Sequence, residues 1–324
     1  MDSITQAVLG ASIAGACVPP GQRRKAMLAG AMLGTLPDLD VVIDYGNDVA
    51  NFTYHRGFSH SLFVLAPFSV LLWLALRRWW APVREAPKEW LAAISLTLLT
   101  HPLLDAHTVY GTQLFWPFPM SPEMWSTIFV IDPLYTLPLV VGVATASFIP
   151  KTKMLRAGLV ISTLYLSWTW VGKFIVEDNA REALAALGLE EKPMFSTPTP
   201  LNSILWRVVV LTDDGYVEGF DSLFVDEGSM QFHRYQTDID SLNEAADIWA
   251  VARLRWFARD FLRVTVENEQ LIVADLRMGL EPNYVFTHVV AERGNPHWRE
   301  IPATLVEFEF ANRALDETWD RIWR

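Results

Sequence analysis

Four of the seven histidines in this 324-residue chain lie within residues 55–107, and carboxylates accompany them. Pro37-Asp38-Leu39-Asp40 comes first, then His55-Arg56-Gly57-Phe58-Ser59-His60-Ser61, then His101-Pro102-Leu103-Leu104-Asp105, with Asp132 further on. Histidine with carboxylate is the ligand set of a divalent metal, zinc first and manganese or iron next. His101 and Asp105 are four apart, so a continuous helix puts both on one face. His55 and His60 are five apart and need a turn at Gly57 for both to point inward. Asp38 and Asp40, two apart, share a side of an extended segment. The candidate ligands are therefore Asp38, Asp40, His55, His60, His101 and Asp105. Arg56 is a candidate to stabilise an anionic phosphoryl group. Asp132 could orient a histidine or take part in the chemistry, or it could cap a helix before Pro133. Plainer readings stand beside these: PDLD as a helix stop and cap, Arg56 as the partner of Asp38 or Asp40, and HxxxD as coincidence. The chain has no P-loop, dinucleotide fingerprint or nucleophile elbow.

The segments that must hold these residues are apolar. The chain is 51% hydrophobic and 19% charged. Residues 1–176 are nearly neutral, whereas residues 177–324 hold 14 of the basic and 27 of the acidic residues, a net of −13. So acidic a region is unsuited to a phosphate backbone, and no direct nucleic-acid binding is expected. With Cys17 as the single cysteine, no internal disulfide or cysteine-rich metal site is possible. No cleavable leader is evident, since Arg23, Arg24 and Lys25 follow the first apolar run instead of preceding it.

A membrane-crossing helix needs roughly 20 mostly apolar residues. Ile128–Ile149 and Leu155–Val176 meet that length, Leu62–Leu76 and Leu91–Leu104 are shorter, and Ile4–Val18 and Ala26–Leu36 are short and rich in Gly and Ala. The last two are expected to form a tight hairpin or re-entrant pair. This reading predicts an α-helical transmembrane domain over residues 1–176, with about four to six spans or re-entrant helices. Basic clusters fall at 23–25, at 77–88 and at Lys151, Lys153 and Arg156. Placing all three in the cytoplasm lets six spans alternate, with both termini and every His/Asp motif on the outer face.

Residues 177–324 read as a small soluble α+β domain. Glu177–Leu189 reads as a helix and Thr197–Pro200 as a rigid linker. Period-two runs at Leu205–Leu211, Tyr216–Phe224, Phe261–Glu267, Leu271–Asp275, Tyr284–Glu292 and Leu305–Phe310 predict strands of one antiparallel sheet, and Ser241–Arg259 predicts a helix.

The segments MDSITQAVLGA, GTLPDLD, HRGFSHS, LTHPLLDAHTVYGT and IDPLYTLPL, in that order, resemble the membrane-bound metal-dependent hydrolase family of bacteria. This is the YdjM-like family, one member of which is described as LexA-binding. The resemblance is specific over about residues 1–150. It implies a bacterial inner-membrane protein acting as a metal-dependent hydrolase. A more distant similarity, carried by Asp40, His55, His101 and Asp105, is to the zinc-dependent phospholipase C and P1-nuclease group. It implies a phosphoester or lipid-like substrate. Gln6 stands where many family members have a Thr-His pair, and no late His/Glu pair is present, so one or two metals are expected instead of three. The alternative function is a non-enzymatic membrane scaffold or sensor with a structural metal or a polar cluster. The expected partners are the lipid bilayer and a small-molecule or lipid substrate.

Overall fold

The structure is a computed structural model, and it describes residues 1–149, 152–226, 228–307 and 321–322. Lys151 and residues 308–310, which the sequence reading used, lie outside them.

The N-terminal half is helical. Helices α1 (Ser3–Cys17) and α2 (Arg23–Thr35) form an antiparallel hairpin. They pack so closely that a Cβ on Gly10 would stand 2.1 Å from the Gly30 carbonyl oxygen, so only glycine fits at this crossing. A 3-10 turn over Pro37–Val42 leads to α3 (Asp48–Tyr54), and a second over Phe58–His60 leads to α4 (Leu62–Trp79). The short α5 (Ala81–Glu85) precedes α6 (Pro87–Ala106). A long loop follows, then α7 (Pro133–Phe148) and α8 (Thr152–Ala185).

Among the described residues, only α4 and α8 are long and apolar enough to cross a membrane. Helices α1, α2 and α7, of 15, 13 and 16 residues, fall short of the roughly 20 needed for ~30 Å of hydrocarbon. The count of four to six spans is therefore not reproduced by helix length. The apolar surface is nonetheless turned outward: of α4 only Leu65 and Ser69 are buried. Leu134, Leu137 and Val141 on α7, with Ile161, Leu164 and Phe174 on α8, are exposed. Water would penalise so large an apolar surface, whereas lipid would not.

The ends of this bundle differ. At one end the loops bearing basic residues meet: Arg24 Nη2 donates to the Ser147 carbonyl at 2.8 Å, and Gln22 bonds both Glu85 and Trp90 Nε1. At the other end lie the Pro37–Val42 and Phe58–His60 turns and the C-terminal end of α6.

Helix α8 has 34 residues, about 51 Å at 1.5 Å per residue, so it outruns a bilayer core. Residue 176, where the sequence changes character, falls inside it. Beyond that point Val176, Ala180 and Leu184 pack against Trp206, Val208 and Val217 of the C-terminal region. That region holds two four-stranded antiparallel sheets instead of the single sheet expected. The first runs in the order β1 (Met194–Pro198), β2 (Leu205–Leu211), β3 (Gly215–Ser222), β4 (Phe232–Gln236). After α9 (Ile239–Glu244) and α10 (Trp249–Ala258) come β5 (Leu262–Glu267), β6 (Gln270–Asp275), the short pair β7 (Gly279–Leu280) and β8 (Asn283–Tyr284), β9 (Thr287–Glu292) and β10 (Arg299–Leu305). The second sheet has the order β10-β9-β6-β5. Phe195, Val209 and Tyr216 meet Phe261, Leu276 and Tyr284 between the sheets. Arg207 of β2 joins them too, pairing with Glu218 at 2.6 Å and donating to the Leu276 carbonyl.

The two halves are packed together. Val49 and Phe52 of α3 enter the core of α10 and the second sheet. Arg253 of α10 donates to the Thr53 hydroxyl and carbonyl, at 2.9 and 3.0 Å. The segment between Asp40 and His55 is thereby clamped from the C-terminal side.

Candidate metal centre

Asp38 on the first 3-10 turn, His60 on the second, and His101 and Asp105 one turn apart on α6 converge. His60 Nε2 and His101 Nε2 are 3.1 Å apart. Asp38 Oδ1 lies 3.3 Å from His60 Nε2 and 3.4 Å from His101 Nε2. Asp105 Oδ2 lies 3.2 and 3.5 Å from the same atoms. Four ligands around a cation at 2.0–2.1 Å in a tetrahedron stand about 3.3 Å from one another. The five distances match that figure closely.

Tautomers sharpen the fit. His101 Nδ1 is 2.6 Å from the Gly34 carbonyl oxygen, which can only accept, so the proton sits on Nδ1 and Nε2 presents a lone pair. His60 Nδ1 lies 2.9 Å from the Ser59 hydroxyl. That hydroxyl donates to Asp40 Oδ2, so His60 Nδ1 donates and its Nε2 also turns a lone pair inward. Asp105 Oδ2 is buried and accepts no hydrogen bond. A proton could serve one pair of these atoms, whereas a divalent cation serves all four. The electrostatics agree. Burial alone would lower the His60 pKa, yet Asp105 and Asp38 outweigh it and raise it. Burial would push the Asp38 carboxyl up, yet His101 and His60 hold it well below the usual carboxylate range. The site favours positive charge at its centre.

The other sequence candidates lie near or away from this group. Asp40 is not part of it: its carboxylate accepts from the Arg56 backbone N–H at 3.0 Å and from Ser59, and meets His55 Nδ1 at 2.7 Å. It thereby holds residues 55–60 in shape, including Arg56 in the left-handed region at φ 58°, a conformation that costs a non-glycine residue of order 1 kcal/mol or more. His55, bonded to Asp40 and packed edge-on to Tyr110, stays outside the group of four. Arg56 does not face an open substrate position. Its Nε lies 3.3 Å from Asp105 Oδ2, its Nη1 donates to Thr108 at 3.1 Å, and the guanidinium sits over Tyr110. Asp132 caps α7, accepting from the Leu134 and Tyr135 backbone N–H groups and from the Tyr165 hydroxyl. His107 is bonded to the Leu103 carbonyl and packs on Trp125.

Three residues that sequence reasoning did not assign to the site belong beside it. Gln6 Nε2 donates to Asp105 Oδ1 at 2.8 Å and to the His101 carbonyl. Gly34 supplies the carbonyl that orients His101, and Ser59 links Asp40 to His60. The Met1 amino group also contacts Asp105. Gln6 and Gly34 carried a sequence signal in the Gly/Ala-rich hairpin, which had to bring α1 and α2 close to something.

Access is narrow. His60, His101 and Asp105 are fully buried, whereas the Asp38 side chain is 18% exposed. The one approach among the described residues therefore passes Asp38, at the end of the bundle away from the basic loops.

The chain is 33% identical over 116 residues to the inner membrane protein YbcI of Escherichia coli (strain K12), a match covering 36% of this chain and 63% of that protein. It is 24% identical over 228 residues to YfhP of Bacillus subtilis (strain 168), covering 68% of each. No solved structure matches significantly. Residues 1–176, more than half of the chain and all four converging side chains among them, match the YdjM inner membrane protein family, and the chain belongs to that family.

Proposed function

We propose that this protein is a metal-dependent hydrolase acting on a phosphoester or lipid-like substrate at the outer face of the inner membrane, with zinc as the first choice of metal. The observation that carries this reading is the convergence of two histidine Nε2 lone pairs and two carboxylate oxygens, each nitrogen 3.1–3.5 Å from the other three atoms, with a single exposed edge at Asp38. A divalent cation held there would polarise a phosphoryl oxygen and lower the pKa of a bound water toward ~7. Asp38, at the open edge, is the ligand beside which substrate would enter. Arg56 acts through Asp105, fixing its carboxylate and balancing its charge, so it is a positioning residue. Asp40 and His55 brace the turn that presents His60.

The orientation rests on the positive-inside rule. The basic loops gather at one bundle end and the His/Asp group at the other, and α8 carries the acidic C-terminal region to the latter side. In this arrangement α4 and α8 span the bilayer, and the shorter α1, α2 and α7 insert beside them.

One observation favours a second reading, a scaffold or sensor with a structural metal: four protein atoms already fill a four-coordinate shell, as structural zinc sites do. A chelator titration on detergent-purified protein separates the two. The hydrolase reading expects turnover of a soluble phosphodiester with zinc or manganese, abolished in His60→Ala and lost on chelation before the protein unfolds. No turnover with any metal, together with unfolding on chelation, would leave the scaffold.

A further inference from the structure

The turn that carries Asp38 also carries bare apolar side chains. Val41 is 70% exposed and Val42 79% exposed, with Leu39 and Ile43 beside them. The turn that carries His60 exposes Phe58, and the first turn of α4 exposes Phe63. Both rings meet partners from the loop after α6: Phe58 is 6.3 Å from Trp116 and Phe63 is 5.5 Å from Phe118, centroid to centroid. That loop is tied to the start of α4 by Ser61 Oγ to the Trp116 carbonyl at 2.6 Å and Leu62 N to the Leu114 carbonyl at 3.0 Å. Residues 114–122 carry no charge.

These side chains form an apolar collar on the open side of the metal centre. Among the described residues the C-terminal region leaves these side chains exposed: it meets the loop after α6 beyond them, where Arg259 Nη2 donates to the Pro122 carbonyl at 2.6 Å. The collar runs directly into the outward apolar face of α4, one of the two helices fit to cross a membrane. Aromatic rings at the end of such a helix are the usual furniture of the hydrocarbon–headgroup boundary.

We infer that the collar of Leu39, Val41, Val42, Phe58, Trp116 and Phe118 is immersed in the outer leaflet, so that the Asp38 edge opens at headgroup depth and receives its substrate laterally, as a membrane-resident amphiphile. The route of entry rests on the hydrolase reading. The immersion does not.

The test has two arms. A nitroxide label is placed at Val42→Cys or Phe118→Cys in a Cys17→Ser background, and the full chain is reconstituted in phosphatidylethanolamine/phosphatidylglycerol vesicles. Collision rates with oxygen and with a water-soluble chromium complex are then compared. Both labels should favour oxygen, as should a label at Leu71→Cys on α4, whereas one at Asp213→Cys in the β2–β3 turn should favour the chromium complex. Labels at 42 and 118 that behave like the one at 213 would overturn the inference. In the second arm, the ratio of turnover on a vesicle-borne phospholipid to turnover on a soluble phosphodiester is measured. In Val41→Ser/Val42→Ser it should fall about tenfold, because two apolar side chains exposed toward lipid become polar. An unchanged ratio would overturn lateral entry. If the wild type turns over neither substrate, the hydrolase reading fails while the label depths still decide the collar.

Discussion

Replacing Gly34 with alanine should weaken metal binding although none of the four ligands is touched. Gly34 lies where α2 crosses α1, and its Cβ would stand 2.4 Å from the Gln6 carbonyl oxygen, whereas ordinary contact begins at 3.4 Å. The helices must therefore part by the difference, 1.0 Å. The obstacle is backbone, which cannot rotate aside, so the overpacking cost should be about 1–3 kcal/mol. The Gly34 carbonyl also receives His101 Nδ1 at 2.6 Å. Opening that contact by about 1 Å takes it past hydrogen-bonding distance. A ligating histidine that loses its orienting partner typically costs 10–100-fold in metal affinity, so about that loss is expected. Competition with a chromophoric chelator for zinc, alongside melting with and without zinc, measures both effects. Gly21→Ala is the control, because its Cβ meets nothing within 4 Å. If Gly34→Ala bound zinc within about twofold of wild type, the claim that this carbonyl orients a ligand would be refuted.

Asp132→Ala should destabilise the protein by about 0.5–2 kcal/mol through loss of a helix cap and leave metal content unchanged; a loss of metal would instead place Asp132 in the centre. Glu218→Ala should cost about 3–5 kcal/mol in unfolding experiments, because it strands the Arg207 charge between the sheets; a cost below about 1 kcal/mol would contradict a fully buried pair. His288 on β9 is buried against Phe52, neither ring nitrogen makes a hydrogen bond to the described residues, and burial lowers its pKa to about 4 despite Asp275 and Asp48. Its folded-state pKa lies below the unfolded value of about 6.5, so it costs nothing at neutral pH. Below pH ~6.5 the unfolded state takes up a proton that the folded state refuses. Wild type should thus lose up to about 3 kcal/mol relative to His288→Leu between pH 6.5 and 4. Parallel pH dependence of the two melting temperatures would refute it.

Much of the site could be read from residue spacing, and the failures have physical causes. His101 and Asp105 come together as their spacing predicts, because a helix places residues four apart on one face. Asp38 and Asp40 were not separable, since residues two apart share a side of an extended segment. The chain instead makes a 3-10 turn there, with three residues per turn, and sends the two carboxylates different ways. His55 leaves the end of α3 in extended backbone, at φ −55° and ψ 138°, while His60 is turned inward by the following 3-10 turn. The Gly/Ala runs announced the α1–α2 hairpin, but not that its closeness serves His101. In the C-terminal region, β2 matches its alternating run residue for residue. The end of strand β1 falls within Thr197–Pro200, whose alternating prolines read as a rigid linker, and four of the strand's five residues are buried, so it shows no alternation. Strand β4, with no fully buried residue, carries too weak a pattern to stand out. Glu177–Leu189 looked like a new helix because its composition turns polar, but α8 simply continues out of its apolar surroundings.

Elemental analysis of metal in detergent-purified protein tests the metal centre most directly, with wild type beside His101→Ala/Asp105→Ala. About one equivalent of zinc, manganese or iron in wild type, lost in the double variant, is the expected result. Absence of metal from both proteins after divalent reloading, or equal metal in both, would contradict it.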